Sequence, residues 1–247
     1  MHRTLVLALA GLAITMPVFA QTRPKPDGLW RGALGAGITA TAGNTDSITY
    51  AINGDAVNQT PYDKMSGYIQ AVYGRREAVG GTERTSDLVR AGGLYNRDWN
   101  ERTFGFGSFD LERNRIIDLN LRSVVAGGVG YHVIKREELT FDVSTGPAYN
   151  REQYTTQTRE AVEWLFAEES THALTSMISF RQKLAFYPNL TKRGEYRFGL
   201  DAGLVFKINN RWNATMTLND RYQSNPLPGV KHNDLLFVTG LQYVFNP

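Results

Sequence analysis

Apolar and polar residues alternate along most of this chain, from about residue 30 to residue 245. Successive side chains of a β-strand point to opposite faces, so this alternation predicts strands with one apolar and one polar face. In the clearest segment, 195–208, every even position from Tyr196 to Ile208 is apolar or aromatic, whereas most odd positions are polar or glycine. The whole pattern predicts about twelve strands.

The first twenty residues have the pattern of an export signal, and the rest of the chain has no long hydrophobic stretch. Arg3 precedes an apolar run from Leu5 to Ile14, and a small-residue cleavage pattern ends at Ala20. We therefore predict three parts, which are a signal peptide at 1–20 that is removed, a short periplasmic lead-in at 21–29, and a β-barrel at 30–247.

An exported chain of two-faced strands is typical of the bacterial outer membrane. There a closed barrel satisfies the backbone hydrogen bonds between strands, turns apolar faces to lipid and turns polar faces inward. The predicted fold is therefore all-β, a closed antiparallel up-and-down transmembrane β-barrel of about twelve strands in the cell outer membrane. Short predicted turns such as Asn209-Asn210 alternate with longer connections such as 225–232, as expected for periplasmic turns and outer loops.

One segment departs from simple alternation. In 102–114 the apolar positions change phase between Phe106 and Phe109, which predicts a bulge or a displaced strand boundary. The end of the last strand, Tyr243-Val244-Phe245, is aromatic and is similar to the signal that barrel-assembly machinery reads. That machinery, during insertion, and the lipids of the outer membrane are therefore the expected partners.

Aromatic residues gather towards both ends of the predicted strands, as in the aromatic belts at the two membrane interfaces. Aromatic residues are also good strand formers, so the alternative is that their placement carries no membrane signal. The predicted belt residues are Trp30, Trp99, Tyr131, Tyr149, Tyr196, Trp212, Tyr222, Tyr243 and Phe245, with Tyr73, Tyr154 and Tyr187 assigned to the outer belt as well.

Composition limits the possible functions. A length of 247 residues suits one barrel domain. The mean hydropathy of −0.34 is too polar for a helical membrane protein, but a barrel needs only alternate apolar residues. The absence of cysteine excludes disulfides and thiolate metal sites. A net charge of +3 is close to balance, which argues against nucleic acid as a partner, and no oligomeric partner is indicated.

Charged residues on the polar face are expected to line the lumen, because exposure to lipid would cost several kcal/mol. The lumen-lining candidates are Asp55, Arg76, Arg90, Asp110, Glu112, Arg122, Asp142, Arg197, Asp201, Lys207 and Arg221. For Glu112, the expected partners are the nearby Arg113 and Arg115. Inward glycines such as Gly130 and Gly199 would leave room for long arginines or for water.

Two interpretations of this lining stay open. One is a pore whose charged lining selects solutes. The other is a network of salt bridges across the lumen that blocks and stabilises the barrel. Twelve strands do not decide between them, because roughly eight strands make a barrel filled by side chains and roughly sixteen leave a channel.

Several short motifs occur in a characteristic order, beginning with Trp30 and the turn Gly43-Asn44-Thr45-Asp46-Ser47. Gly127-Gly128-Val129-Gly130-Tyr131 and Ser144-Thr145-Gly146-Pro147-Ala148-Tyr149 follow. This order resembles the salt-induced outer membrane protein family, catalogued as domain of unknown function 481, over about Trp30 to Phe245. The resemblance implies an outer-membrane barrel without an established molecular activity, and it brings no catalytic residues.

No group of residues predicts catalysis. The histidines His2, His132, His172 and His232 include no pair at metal-ligand spacing and none at the spacing from serine that an outer-membrane phospholipase uses. We therefore predict no enzyme, no cofactor and no metal. The expected function is a passive small-solute pore or an envelope protein of osmotic stress, and the stress association comes from the resemblance alone. The alternatives are a lipid-acting enzyme within the barrel and a plugged structural barrel whose outer loops bind a partner.

Overall fold

The computed structural model describes residues 26–41, 47–78 and 81–246, so the predicted signal peptide at 1–20 lies outside the described residues. The described residues form twelve strands, which are β1 Trp30–Thr41, β2 Ser47–Gln59, β3 Asp63–Ala78, β4 Gly81–Asp98, β5 Thr103–Asn114, β6 Leu119–Lys135, β7 Leu139–Tyr154, β8 Thr158–Ala173, β9 Ile178–Pro188, β10 Tyr196–Lys207, β11 Trp212–Gln223 and β12 Asn233–Phe245. A short 3-10 helix, Arg115–Ile117, follows β5. In the described ranges, no helix has both the length and the apolar composition needed to cross a membrane.

The strands close into one barrel. Each strand pairs antiparallel with its neighbours in the sequence, and β1 also pairs with β12, from Gly32 opposite Phe245 to Ala36 opposite Leu241. This closure leaves no unpaired sheet edge, which is how a barrel satisfies its backbone in lipid. The predicted all-β, up-and-down antiparallel barrel of about twelve strands is confirmed.

The turns at the end that carries the N-terminus are short, and most of them share one kind of side-chain hydrogen bond. Asn209 Oδ1 accepts from the backbone N–H groups of Arg211 and Trp212 at 2.8 and 3.0 Å, and Asn100 and Thr175 act alike in their turns. At the other end, 189–195 and 224–232 are longer, but only three residues, 155–157, separate β7 from β8. The predicted contrast between short turns and long outer loops therefore holds for the outer loops 189–195 and 224–232. It fails between β7 and β8, because these two strands extend into the region that was expected to be a loop.

The lead-in beside β1 is held to the barrel by an ion pair. Arg31 Nη1 and Nη2 donate to the two carboxylate oxygens of Asp27 at 2.8 and 2.6 Å. These hydrogen bonds hold the pKa of Asp27 below its usual value. Asn58, on β2, donates to the Gly28 carbonyl at 2.5 Å, so the chain enters β1 in a fixed position.

The outer surface is a band of exposed apolar side chains. Its large members include Leu34, Ile38, Ile52, Ile69, Val125, Val129, Phe166, Met216, Phe237 and Leu241. All nine predicted belt residues lie on this outward side or, for Trp99, in an end turn. Trp212 and Tyr243 meet edge to face near one end, with ring centroids 5.2 Å apart, and Tyr196 stacks on Tyr222 near the other, at 5.6 Å.

Tyr154 and Tyr187 do not belong to the outer belt. Tyr154 is 7% exposed and pairs in register with the fully buried Leu119, so its ring points inward. Tyr187 also faces the interior, where the Arg197 guanidinium lies 4.7 Å from its ring centroid. The assignment of both residues to the outer belt was wrong, because it used height along the strand without the direction of the side chain.

The expected break in β5 is also absent between Phe106 and Phe109. Phe104 and Phe106 point inward and Phe109 points outward, so the two-residue alternation continues through this segment. Phe106 packs inside against a cluster that includes Leu165 on β8. The apparent change of phase arises because the inward face of β5 is aromatic near the N-terminal end and acidic further along.

Candidate functional site: the barrel interior

The interior is lined by most of the predicted charged residues. By strand register, Asp55, Arg90, Asp110, Glu112, Arg122, Asp142, Arg197, Asp201, Lys207 and Arg221 all point inward. Arg76 is the exception, and the prediction that it lines the lumen was wrong. Its side chain is 43% exposed and pairs with Glu83 of the same hairpin, beyond the register irregularity at Gly74/Arg75. It therefore lies at the outer tip of β3 and not in the lumen.

Four charged side chains form a continuous lattice across the inner face of β4 to β7. Arg90 lies 3.2 Å from Glu112, which accepts from Arg122 at 3.3 Å, and Arg122 donates to Glu152 at 2.9 Å. All four side chains are at least 87% buried. The partners of Glu112 thus come from neighbouring strands, whereas Arg113 and Arg115 lie near Asp87, at 3.9 and 3.8 Å. Their predicted role as partners of Glu112 was wrong.

One contact of this lattice crosses the lumen. Arg122 Nη2, on β6, donates to Gln223 Oε1, on β11, at 3.5 Å. These strands stand five places apart in a ring of twelve, which is nearly the full width of the barrel. This contact narrows the outer half of the interior.

Further ion pairs lie on the inner face of β8 to β11. Arg197 Nε donates to Glu163 at 2.9 Å, and Arg221 donates to Asp201 at 2.5 Å. Asn219 also donates to Asp201, at 2.7 Å. The Arg221 guanidinium lies over Gly199, where an added Cβ would stand 3.3 Å from Nη1. Gly199 therefore makes room for an arginine, whereas the space over Gly130 is filled by the Phe104 ring.

Nearer the other end, His132 connects two carboxylates. Its Nδ1 lies 2.7 Å from Asp142 and its Nε2 lies 3.3 Å from Asp98, which also accepts from Lys135 at 3.0 Å. Asp110 accepts a hydrogen bond from the Tyr68 hydroxyl. These inward groups form hydrogen-bonded pairs between strands that are adjacent or separated by one strand, so they are built into the wall.

Two opposite parts of the interior differ in access to water. Eight inward residues of β12 and β2 to β4, here called the closed wall, are at most 7% exposed, and these are Ala51, Asp55, Gln70, Val72, Leu88, Arg90, Leu236 and Gln242. Five inward residues of β7 to β10, here called the hydrated wall, are not buried, and these are Asp142, Glu169, Arg181, Lys183 and Asp201. Lys183 is exposed although it points into the lumen, and Asp142 is 28% exposed. Water therefore reaches the residues of the hydrated wall and not those of the closed wall.

Charges on the hydrated wall are unevenly paired. Glu169 pairs with Arg181, Asp201 with Arg221, and Asp142 with His132. Lys183 and Lys207 make no ion pair with any described residue. The part of the lumen that water reaches thus carries free positive charge, whereas its carboxylates have partners.

Several interior residues were not among the sequence candidates. They include Lys64, Glu152, Glu163, Glu169, Arg181 and Lys183. The alternation could have found Glu152, because it has the same parity as Asp142 on β7. The sequence of β8 alternates less regularly, because Glu168 and Ser170 lie on its outward face, and this hid Glu163 and Glu169.

The outer mouth forms a polar pocket with an empty volume of about 430 Å³ that is open to solvent. Arg159, Lys192, Glu195 and Asn225 are among its lining residues. They are held together by Asn225, which donates to Glu195 at 2.7 Å and accepts from Arg159 at 2.9 Å through its carbonyl. The pocket leads down to the Glu163–Arg197 pair.

The histidines do not assemble a nucleophile. His172 packs against Phe180, with ring centroids 5.8 Å apart, and His232 Nδ1 lies 2.9 Å from the Gln223 carbonyl. None of these contacts, nor those of His132, is with a serine or threonine hydroxyl. In the described ranges, no group of three or more histidine and acidic side chains is placed to hold a metal ion.

An outward apolar band, aromatic residues at both ends and an interior of charged side chains define the class of transmembrane β-barrels. The chain belongs to the family described as "Protein of unknown function, DUF481", whose model matches residues 34–245. No curated protein sequence matches the chain.

Solved outer-membrane barrels have a similar fold at low sequence identity. The COG4313 outer membrane channel from Pseudomonas putida F1 is 14% identical with a TM-score of 0.51, covering 94% of this chain and 99% of that chain. The translocator domain of the autotransporter NalP from Neisseria meningitidis is 10% identical with a TM-score of 0.45, covering 88% and 87%. The NanC porin is 9% identical with a TM-score of 0.46, covering 87% and 97%. At these identities the likeness concerns the fold alone.

Proposed function

We propose that this protein is a passive outer-membrane channel for small polar solutes, narrow and weakly selective for anions. The observation that carries the proposal is the exposed and unpaired Lys183 on the hydrated wall. A free positive charge in a lumen with low-dielectric walls attracts small anions, whereas paired carboxylates repel them little. Several similar folds are titled porins or channels, which is consistent with this role.

Planar bilayer recordings of the purified protein test the proposal. We expect small conductance steps and, in a KCl gradient, a reversal potential that shows a preference for chloride. Lys183→Glu should move this potential towards cation preference. Arg76→Glu, at the outer tip, is the matched control and should leave it unchanged. Heat-modifiable migration in detergent gels verifies that each sample is folded.

A sealed structural barrel is the second candidate, and the contact between Arg122 and Gln223 across the lumen favours it. In that case the folded protein would give no conductance steps at any voltage. Folded samples without steps would therefore reject the channel and favour the sealed barrel.

We also propose that the barrel is not an enzyme. A lipid-acting enzyme of this size needs a nucleophile within hydrogen-bond reach of a base. The contacts of His172 and His232 with Phe180 and the Gln223 carbonyl provide no such pair. Release of fatty acid from phospholipid vesicles by the wild-type protein would contradict this part of the proposal.

A role in osmotic stress rests on the resemblance to the salt-induced family. We expect the amount of protein in the outer-membrane fraction to rise when the producing cells move to high salt. Immunoblots of fractionated cells measure this amount. A constant amount would contradict the stress role without affecting the channel.

A further inference from the structure

Two polar residues, Glu168 and Gln182, interrupt the apolar outer surface on β8 and β9, and Ser170, which is 7% exposed, lies beside them on the same face. Gln182 Nε2 donates to Glu168 Oε1 at 2.5 Å, and Ser170 is the direct cross-strand partner of Gln182. On the same face, Phe166 is the neighbour of Glu168 on β8, and Phe180 and Leu184 are the neighbours of Gln182 on β9. We call Glu168, Ser170 and Gln182 the mid-belt polar patch.

Strand register places this patch near the middle of the membrane band. On β7 the outward belt runs from Leu139 to Tyr149, and the β8 residues paired with these two are His172 and Val162. Glu168 lies between His172 and Val162 on the outward face. On β10 the outward apolar residues run from Tyr196 to Phe206, whose β9 partners are Pro188 and Ile178. Gln182 lies between those partners.

Other outward charges lie nearer the strand ends. Glu160 is 3.4 Å from Arg151, and Asp87 accepts from Arg84 at 2.8 Å, all near the outer rim. Asp220 lies two residues from Tyr222 of the outer belt. Among the described residues, Glu168 is the only outward charged side chain that lies at mid-depth and has only a neutral amide as its partner. Charged side chains facing lipid near the midplane are destabilising, so this patch is unfavourable on a bare lipid-facing surface.

We propose that the mid-belt polar patch is covered by the same patch of a second copy of this chain, related by a two-fold axis. An interface of this kind requires a self-complementary surface. The patch satisfies that requirement, because Glu168 offers acceptor oxygens and the Gln182 amide offers donors. Across the axis, Glu168 of one copy would meet Gln182 of the other. The exposed Trp164 and Phe166 would surround the polar centre, as aromatic residues commonly do in interfaces.

This dimer does not rest on the proposed channel, because each copy would retain its own lumen.

Single-cysteine cross-linking tests the proposed dimer, and the natural sequence contains no cysteine to interfere. Phe166→Cys places a thiol beside the patch, and the residue is 49% exposed. Ile52→Cys is the matched control, since Ile52 is 62% exposed and lies on β2, diametrically opposite β8.

After oxidation in native outer membranes, we expect a disulfide-linked homodimer with Phe166→Cys and mainly monomer with Ile52→Cys. Monomer with both variants would overturn the proposal. Equal dimer yields would also overturn it, because they would indicate random collisions. A cross-linked product of a different mass would show that another protein covers the patch and would reject the second copy.

The double substitution Glu168→Leu with Gln182→Leu, added to Phe166→Cys, separates an interface from an internal role. We expect the cross-linked yield to fall about tenfold. The urea midpoint of unfolding should stay equal or rise, because leucine is favourable on a lipid-facing surface. A lower midpoint with an unchanged cross-linked yield would show that the pair stabilises a single barrel and would overturn the proposal.

Discussion

The closed wall and the hydrated wall follow the same two-residue alternation but fill the interior differently. On the closed wall, Leu88 and Leu236 pack into an apolar cluster with Val72. On the hydrated wall, glycines such as Gly199 and Gly203 stand between charged residues, and Lys183 remains exposed. The position of a charge on the inward face is therefore insufficient to identify a pore. Its partners and its contact with water decide the role.

The lattice of Arg90, Glu112, Arg122 and Glu152 connects these two walls. It begins on β4 of the closed wall and ends on β7 of the hydrated wall. Buried carboxylates of this kind remain charged only with close positive partners. The lattice is thus the part of the interior where a single substitution should cost the most.

Arg122→Gln should have the largest effect. It leaves Glu112 with Arg90 alone and removes the cation from Glu152, so we expect the free energy of unfolding to fall by about 3–5 kcal/mol. Urea titration in lipid vesicles measures this loss. The exposed pair of Arg76 and Glu83 supplies the control, and Arg76→Gln should change the value by only about 0–1 kcal/mol. Similar losses in both variants would show that the lattice is no more important than a surface ion pair.

Leu236→Ala should have the next largest effect and compares the two walls directly. Leu236 is fully buried, so the transfer and cavity contributions should lower the free energy of unfolding by about 2–4 kcal/mol. Lys183→Ala on the hydrated wall should change it by no more than about 0.5 kcal/mol, because this exposed side chain has no ion-pair partner among the described residues. The same urea titration applies, and a comparable loss with Lys183→Ala would remove the distinction between the walls.

The alternation was sufficient to predict the barrel because the outward face of most strands is apolar. In β10, for example, each even position from Tyr196 to Phe206 is apolar, and the structure pairs these positions as one face. The inward face follows no such rule. Phe104 and Asp110 lie on the same inner side of β5, so hydrophobicity alone misassigned the phase there.

The partners of the inward charges could not be read from the sequence. Arg122 and Glu152 are 30 positions apart, and Arg122 and Gln223 are 101 apart. They meet because of strand register and barrel closure, which depend on every turn between them. Nearness in sequence therefore suggested Arg113 as a partner for Glu112, although the arginine lies on the outward face with Asp87.

Gly130→Ala should have an intermediate effect at the base of the interior. The Phe104 ring lies directly over Gly130, so an added methyl group would overlap it and force the ring to move. Such overpacking costs about 1–3 kcal/mol. Gly107→Ala is the control, because nothing lies within 4 Å of a Cβ added there. Equal urea midpoints for the two variants would contradict the placement of Phe104 over Gly130.

The substitutions with the smallest expected effect on the barrel compare the access of water to the two walls. They leave the packing of the other residues unchanged. Lys183→Cys and Gln70→Cys each introduce the only thiol in the chain. Gln70 has no exposed surface, so a water-soluble, membrane-impermeant thiol reagent should label Gln70→Cys roughly tenfold more slowly than Lys183→Cys. Mass spectrometry of the folded protein in liposomes follows the labelling, and urea-unfolded samples supply the intrinsic rates. Equal rates in the folded barrel would mean that water fills the lumen evenly, and the selectivity attributed to Lys183 would then lose its structural basis.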